Sequence, residues 1–512
     1  MIIDEWSIVA ESRTELPYAE RVATVLAGQS EPHLLTGEQY LETLADGRRL
    51  IAPDGTEIEN VAAHPVTSAA ASTFAAIMDQ QFDPRLREVV TYVDPETNRR
   101  KSRGWQVPTT RQHLFARREQ IGVTTRQTLG FFGRPPDYGP ALALGFLAII
   151  DRVESESPEF AENIRRFVQT AGERNLLSTD LIGDNQSDHR VPRNDRPSTL
   201  RVVEERSDGI VLRGSKSAGS SGPLAHMFTL TTKLGEGLGP EGAIWAVVPV
   251  NSDGLSLVMR EPTVSSGASR EDHPLNVNGE EMDQIVIFDD VFLPRECVFN
   301  VGNLDLLQLH LDICVFAMWH ILTRLSYRAQ IFAGTAQVIT EILGRENVPG
   351  VRRAVADIQL YAETLKAFSI AAITESQSWN GVEVPNPGIV SAGRLHSITN
   401  YERVVYLLQD LCGQGLISRW PEKVWDHPEF GPRLEAFLPG VGVTAREKNR
   451  FFNFVYDLTA SANAQRVALF ENVNAAPPAA VAELVYRNPE RAKWARVVRE
   501  FAGIPAESGA RT

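Results

Sequence analysis

The chain has 512 residues, 43% hydrophobic and 23% charged, which is the balance of an ordinary soluble globular protein. Its net charge of −14, from 51 Lys and Arg against 65 Asp and Glu, repels phosphate backbones. No basic run offers a local exception, so nucleic acid is excluded as a partner; the length exceeds one ordinary core and implies two or three packed regions.

Residues 1–22 (MIIDEWSIVAESRTELPYAERV) carry early acids and no continuous apolar core like that of a signal peptide. Thr36-Gly37-Glu38-Gln39-Tyr40-Leu41 predicts a short amphipathic helix ended by Gly47. Helical spacing continues through Val66–Gln81, Arg111–Phe132 and Ala141–Ala171, interrupted by the turn Gly133-Arg134-Pro135-Pro136-Asp137-Tyr138. Ala141–Ile150, the most apolar run, is too short to span a bilayer. Leu200–Val203, Gly209–Leu212, Met227–Thr231, Ala243–Val250 and Gln284–Phe288 read as strands. Their close spacing, without intervening helices, predicts an antiparallel barrel or sandwich. Leu306–Leu343, Val351–Ser378, Ile389–Leu416 and Ala445–Asn472 then read as the long helices of a bundle. The charged, weakly periodic tail Val473–Thr512 is expected to be partly mobile.

These changes of periodicity divide the chain into an N-terminal helical domain (1–191), a central β domain (192–302), a C-terminal four-helix bundle (303–475) and a tail (476–512). The class is α+β, and the order resembles the acyl-CoA dehydrogenase fold, in which flavin lies between the β domain and the helices. The cysteines Cys297, Cys314 and Cys412 are far apart, so neither a disulfide framework nor a cysteine metal site is implied. A reducing cytoplasm is the simplest address.

In the Gly133–Tyr138 turn the prolines hold the chain extended, so that Arg134 and Tyr138 project from a stiff corner. Arginine offers a fixed fork of donors to an oxyanion, and tyrosine adds a hydroxyl. Read alone, the same turn is a plain helix–helix corner.

Several short runs in fixed order carry a resemblance. They are Leu35–Leu41, Asp46–Arg49, Val61–Pro65, the Gly133–Tyr138 turn, Gly209–Val211, Gly214–Lys216 and His226. Pro274-Leu275, Ile285–Asp289, Phe292–Glu296, Gly415–Ile417, Arg466 and Phe470-Glu471 follow. Together they resemble the large component of 4-hydroxyphenylacetate 3-monooxygenase and the related chlorophenol and nitrophenol monooxygenases. The resemblance implies that reduced FAD arrives from a separate NAD(P)H:flavin reductase, reacts with oxygen to a C4a-hydroperoxide, and hydroxylates a small aromatic ring. It carries Arg134, Tyr138 and Asp180 over as catalytic residues. Flavin contacts fall at Asp180, Leu181 and Ile182, at Gln186, Ser187, Asp188 and His189, and at Ser220, Ser221 and Gly222. The resemblance makes Ser461, Ala462, Asn463, Ala464 and Arg466 a further flavin segment, and it implies a homotetramer in which a neighbouring subunit can supply that segment.

Asp180 departs from the family, which usually has histidine there. A carboxylate is a weaker base than imidazole. It pairs well with an amino or ring N–H group, so an arylamine or N-heteroaromatic joins phenol as a substrate. A helix cap is the bland alternative for Asp180. Pro135 also stands where Ser or Thr is common.

Other features are set aside. Gly235–Gly242 precedes a strand and reads as a hairpin tip. The histidines lack metal spacing, and the cysteines lack the close pair that an iron–sulfur dehydratase of this fold uses, so no metal is expected. Glu280-Glu281 and Asp289-Asp290 read as solvated charges, and Thr263–Asp283 as a mobile loop that in the resembling family can cover the active site. An acyl-CoA dehydrogenase or dehydratase, and a catalytically silent scaffold, are the competing readings.

Overall fold

The computed structural model describes residues 34–475 and 477–505; the reading of residues 1–22 lies outside them. The chain forms two compact units. One comprises the chain up to Val107, Arg134–Pro262 and Glu281–Cys314; the other comprises Pro108–Gly133, Thr263–Glu280 and the chain from Val315.

The first unit opens with the helix Gly37–Thr43, whose cap Thr36 exchanges hydrogen bonds with Gln39 in a capping box. Two sheets follow. Five strands run in the order Arg49–Ile51, Leu255–Met259, Gln284–Pro294, Gly209–Lys216, Arg201–Arg206. Four run in the order Val298–Val301, Ile244–Pro249, Met227–Thr231, Ser178–Leu181. Pairing is antiparallel except at one edge of each sheet, where Arg49–Ile51 and Ser178–Leu181 join in parallel. Met227–Thr231 and Ile244–Pro249 are buried at every residue, which is why they read as continuous apolar runs. Ser178–Leu181 gives no strand signal in the sequence, being four residues long with an aspartate inside it; its partner Met227–Thr231 imposes the conformation.

Against these sheets the unit keeps the helices Pro140–Ala148 and Pro158–Glu173. Gly139 and Gly145 set the packing distance. A Cβ on Gly139 would lie 1.9 Å from the Ser178 carbonyl oxygen, and one on Gly145 would lie 1.9 Å from that of Ile313. The first contact fixes the end of the Gly133–Tyr138 turn against the strand that carries Asp180.

In the second unit the helices Val315–Leu343, Pro349–Thr374 and Pro387–Cys412 pack on one another, joined by Arg111–Thr128 from far upstream. Arg118 of that helix donates to Ser369 Oγ at 3.1 Å and to Tyr327 Oη at 2.9 Å. The expected helix Leu306–Leu343 is broken. A 3-10 turn Leu306–Leu309 and a short helix His310–Ile313 precede Val315, where the Ile313 carbonyl presses on Gly145. By length and composition Leu306–Leu343 can cross a membrane, and 67% of its most apolar window is buried inside the protein. Ala445–Asn472 is likewise divided into Ala445–Thr459, Ala462–Leu469 and a π-helical turn Phe470–Asn474. Ser461 restarts the helix by accepting from Ala464 N. The tail contains helices, Pro478–Tyr486 and Glu490–Ala502.

Candidate active site

The strand Ser178–Leu181 places the Asp180 side chain toward the turn before Pro140, and Gly139 lets the two approach. Arg134 Nε lies 2.5 Å from Asp180 Oδ1 and Nη2 lies 3.3 Å from Oδ2. The guanidinium carbon sits 4.1 Å from the centroid of the Tyr138 ring, a cation–π stack. Arg134 is 6% exposed and Tyr138 2%. Burial works against the Arg134 charge. The Asp180 carboxylate foremost, then Tyr138 and Glu281, outweighs it and holds arginine's pKa above its ordinary value. The structure therefore brings the three expected catalytic residues together, and it uses Asp180 to neutralise Arg134 rather than to cap a helix.

A fourth residue completes the cluster. Glu281 has no exposed surface; its Oε1 accepts the Arg134 backbone N–H at 2.5 Å and the Ser221 hydroxyl at 3.1 Å. The neighbouring Glu280, 4% exposed, accepts from Thr263 and Val264 N–H. The reading of Glu280-Glu281 as solvated charges is corrected. Adjacent acids beside a strand look like surface, and the partner lies 147 residues away in sequence. Asp289-Asp290 are exposed, as expected.

Ser220, Ser221 and Gly222 form a tight loop with Ser221 at φ +62, a left-handed conformation that costs a non-glycine residue about 1 kcal/mol or more. Two bonds hold it there: Ser221 N–H to Met282 O at 3.0 Å, and its hydroxyl to Glu281. Ser220 Oγ donates to Asp283 Oδ1 at 2.6 Å, and Gly222 N–H donates to Gly219 O. The hydroxyls and backbone donors of this loop are thus engaged within the protein.

Leu181 is buried in its strand, and Ile182 begins the loop that carries Gln186, Ser187, Asp188 and His189. Lys216 anchors that loop: its Nζ donates to Asp184 Oδ1 at 2.7 Å and to Ile182 O at 3.1 Å, while Arg193 holds Asp184 Oδ2 at 2.6 Å. Burial pushes the Lys216 pKa down against the pull of Asp184. Asp184, with its side chain 39% exposed, is held below the usual carboxylate range by Lys216 and Arg193, which outweigh its partial loss of solvent. Beyond the anchor, Gln186, Asp188 and His189 are exposed.

In the second unit Ser461, Ala462, Asn463, Ala464 and Arg466 form the start of the helix Ala462–Leu469. Asn463 is 1% exposed, and Arg466 lies 4.5 Å over the Phe470 ring. Two of the segments assigned to flavin, those of Ser187 and Asn463, hold groups that suit it. FAD presents hydroxyls, ring N–H and carbonyl groups and a diphosphate. In these segments the Ser187 hydroxyl and Asn463 Oδ1 are buried without a hydrogen-bond partner among the described residues.

Both halves of the chain match known families. Residues 36–300 match the family described as 4-hydroxyphenylacetate 3-hydroxylase N terminal, and residues 310–503 match its C-terminal counterpart. The chain is 33% identical over 459 residues to the oxygenase component of 4-nitrophenol 4-monooxygenase/4-nitrocatechol 2-monooxygenase of Rhodococcus opacus, which covers 86% of this chain and 85% of that one. A crystal structure of the oxygenase component of 4-hydroxyphenylacetate 3-monooxygenase, complexed with FAD and 4-hydroxyphenylacetate, superposes with a TM-score of 0.85. It is 30% identical and covers 91% of this chain and 98% of its own. A 4-hydroxybutyryl-CoA dehydratase from N. maritimus shares the fold alone, with a TM-score of 0.84 at 18% identity over 94% and 97% of the two chains. The acyl-CoA dehydrogenase-like fold expected from the element order is the one observed. Matched along both halves in order, the chain belongs to the 4-hydroxyphenylacetate 3-hydroxylase family.

Proposed function

We propose that this chain is the oxygenase component of a two-component flavin monooxygenase that uses reduced FAD and oxygen to hydroxylate a small aromatic compound. Its relatives act as oxygenase components on nitrophenol and 4-hydroxyphenylacetate, which implies a separate reductase as partner. The single observation that carries the reading is the buried cluster in which Arg134 stacks on Tyr138 and is gripped by Asp180.

Reduced FAD supplies the electrons that activate oxygen for transfer to the ring. The protein's own groups bind and orient the substrate. Arg134 and Tyr138 hold the ring oxygen or nitrogen. Asp180 Oδ2, the carboxylate oxygen farther from Arg134, accepts a hydrogen bond from an aromatic O–H or N–H group. Glu281 fixes the Arg134 backbone, so the fork keeps its direction. Because Asp180 neutralises Arg134, the cluster favours a neutral phenol, an arylamine or an N-heteroaromatic over a phenolate. Ser187 and Asn463 are the first flavin contacts on this reading. A homotetramer and a cytoplasmic address belong to the same proposal, by kinship.

The test supplies chemically reduced FAD with oxygen and a panel of phenols and arylamines, without a reductase. Hydroxylated product from at least one class supports the assignment. Protein that neither binds reduced FAD nor yields product sinks it. The acyl-CoA dehydrogenase or dehydratase alternative shares only the fold; reduction of bound FAD by an acyl-CoA would revive it.

A further inference from the structure

The loop Thr263–Glu280 is strapped to one face of the helix Ala445–Thr459. Arg446, Arg450, Asn453 and Asp457 recur on that helix four, three and four residues apart, and so share a face. Arg446 and Arg450 meet the Glu271 carboxylate at 3.3 and 3.5 Å. The Asn453 amide donates to the Glu271 carbonyl at 2.9 Å.

Asp457 is the final clasp, and its side chain has no exposed surface. Oδ2 accepts the backbone N–H groups of Leu275 and Asn276 at 3.2 and 3.1 Å. Oδ1 accepts the Asn276 amide at 3.0 Å and lies 3.2 Å from His273 Nδ1. Burial pushes the Asp457 pKa up against the pull of these donors. The residue also stands in the last turn of its helix, where the dipole disfavours a carboxylate. An acid placed there against both costs is explained by the loop it holds.

Two further contacts extend from this clasp into the segment Ser461–Arg466. The Ser461 hydroxyl donates to the Asp457 carbonyl at 2.9 Å and caps the Ala464 N–H at 3.1 Å. The Asn463 amide donates to Asn276 Oδ1 at 3.1 Å, while its own Oδ1 is buried without a partner among the described residues. We propose that Asn463 is a relay, holding the loop through Asn276 with one end of its amide and accepting a hydroxyl or ring N–H donor of the flavin with the other. Flavin occupancy then fixes the loop, and the loop in turn tightens flavin binding, since coupling between two events is reciprocal. The relay rests on the reading of Ser461–Arg466 as a flavin segment.

Arg270 is exposed in the loop and gives trypsin a reporter site. In anaerobic solution, reduced FAD should slow cleavage after Arg270 by about fivefold, a typical coupling factor. In Asn276→Ala, cleavage should be fast with or without flavin, and reduced FAD should bind more weakly by a similar factor in equilibrium dialysis. Asp457→Asn, which keeps the side-chain size, should behave alike and guards against a fold defect in the first variant. The relay is overturned if wild-type protein binds reduced FAD while Arg270 stays equally cleavable, or if both variants keep wild-type protection. Wild-type protein that fails to bind reduced FAD at all removes the flavin assignment itself, and the relay falls with it.

Discussion

Asp180 meets Arg134 with both carboxylate oxygens, at 2.5 Å to Nε and 3.3 Å to Nη2, and neither side chain is more than 12% exposed. A buried pair of this kind is costly to break from one side, because the survivor keeps its charge without its partner. Asp180→Ala should therefore destabilise the protein by about 3 kcal/mol. Denaturant titration measures this; a midpoint within error of wild type would mean the pair is not formed in solution.

On the proposed function, the same pair also bears on which substrate is taken. Replacing Asp180 with histidine removes the carboxylate and leaves the Arg134 charge free to stabilise a phenolate. Asp180→His should raise kcat/KM for phenols relative to arylamines by about tenfold, the size of one lost charge interaction. An unchanged ratio across the panel would remove Asp180 from substrate choice.

Gly139 tests the packing that brings the pair together. A methyl group there would stand 1.9 Å from a backbone oxygen of Ser178, an atom that cannot swing aside. Gly139→Ala should cost about 1–3 kcal/mol of stability. It should also lower turnover through the displaced Arg134 and Tyr138, while the equivalent change at Gly334, which has nothing within 4 Å, should not.

His226 makes stability depend on pH. Its Nδ1 accepts the Leu177 backbone N–H at 2.9 Å, so Nε2 carries the proton and donates to Thr43 Oγ1 at 2.7 Å. Burial foremost, with Arg48, pushes its pKa from 6.5 down to about 3. The unfolded chain therefore binds a proton that the folded chain refuses between those values. The contribution is complete above pH 6.5 and is lost as pH falls toward 3. By pH 5 the loss should reach about 2 kcal/mol. His310, also pushed to about 3 by burial, adds to it with the same sign. Melting temperatures between pH 7 and 5 check this, and His226→Gln should flatten the slope; an equal slope in the variant would contradict it.

Much of the layout is legible in the sequence because it depends on local signals. Met227–Thr231 and the Gly133–Tyr138 turn announce themselves through β-branched runs and paired prolines. What depends on distant partners is silent. Glu281 takes its role from a backbone N–H in the turn, and Asp457 looks like any polar residue of an amphipathic helix until the loop lies on it. The interruption at Cys314 has no glycine or proline to mark it, since it arises where Ile313 is pressed on Gly145. Arg111–Thr128 precedes every strand of the central region, yet it joins the bundle through Arg118 and Tyr327.

Both of the larger sheets are bounded by strands that make poor templates. Arg49–Ile51 has three residues and Ser178–Leu181 and Val298–Val301 four apiece, while Arg201–Arg206 ends in Glu204, Glu205 and Arg206. Borders this brief or this charged offer a passing chain little to zip onto. The fold thereby guards its broad inner strands against fibre-like growth during concentrated storage or crowded synthesis.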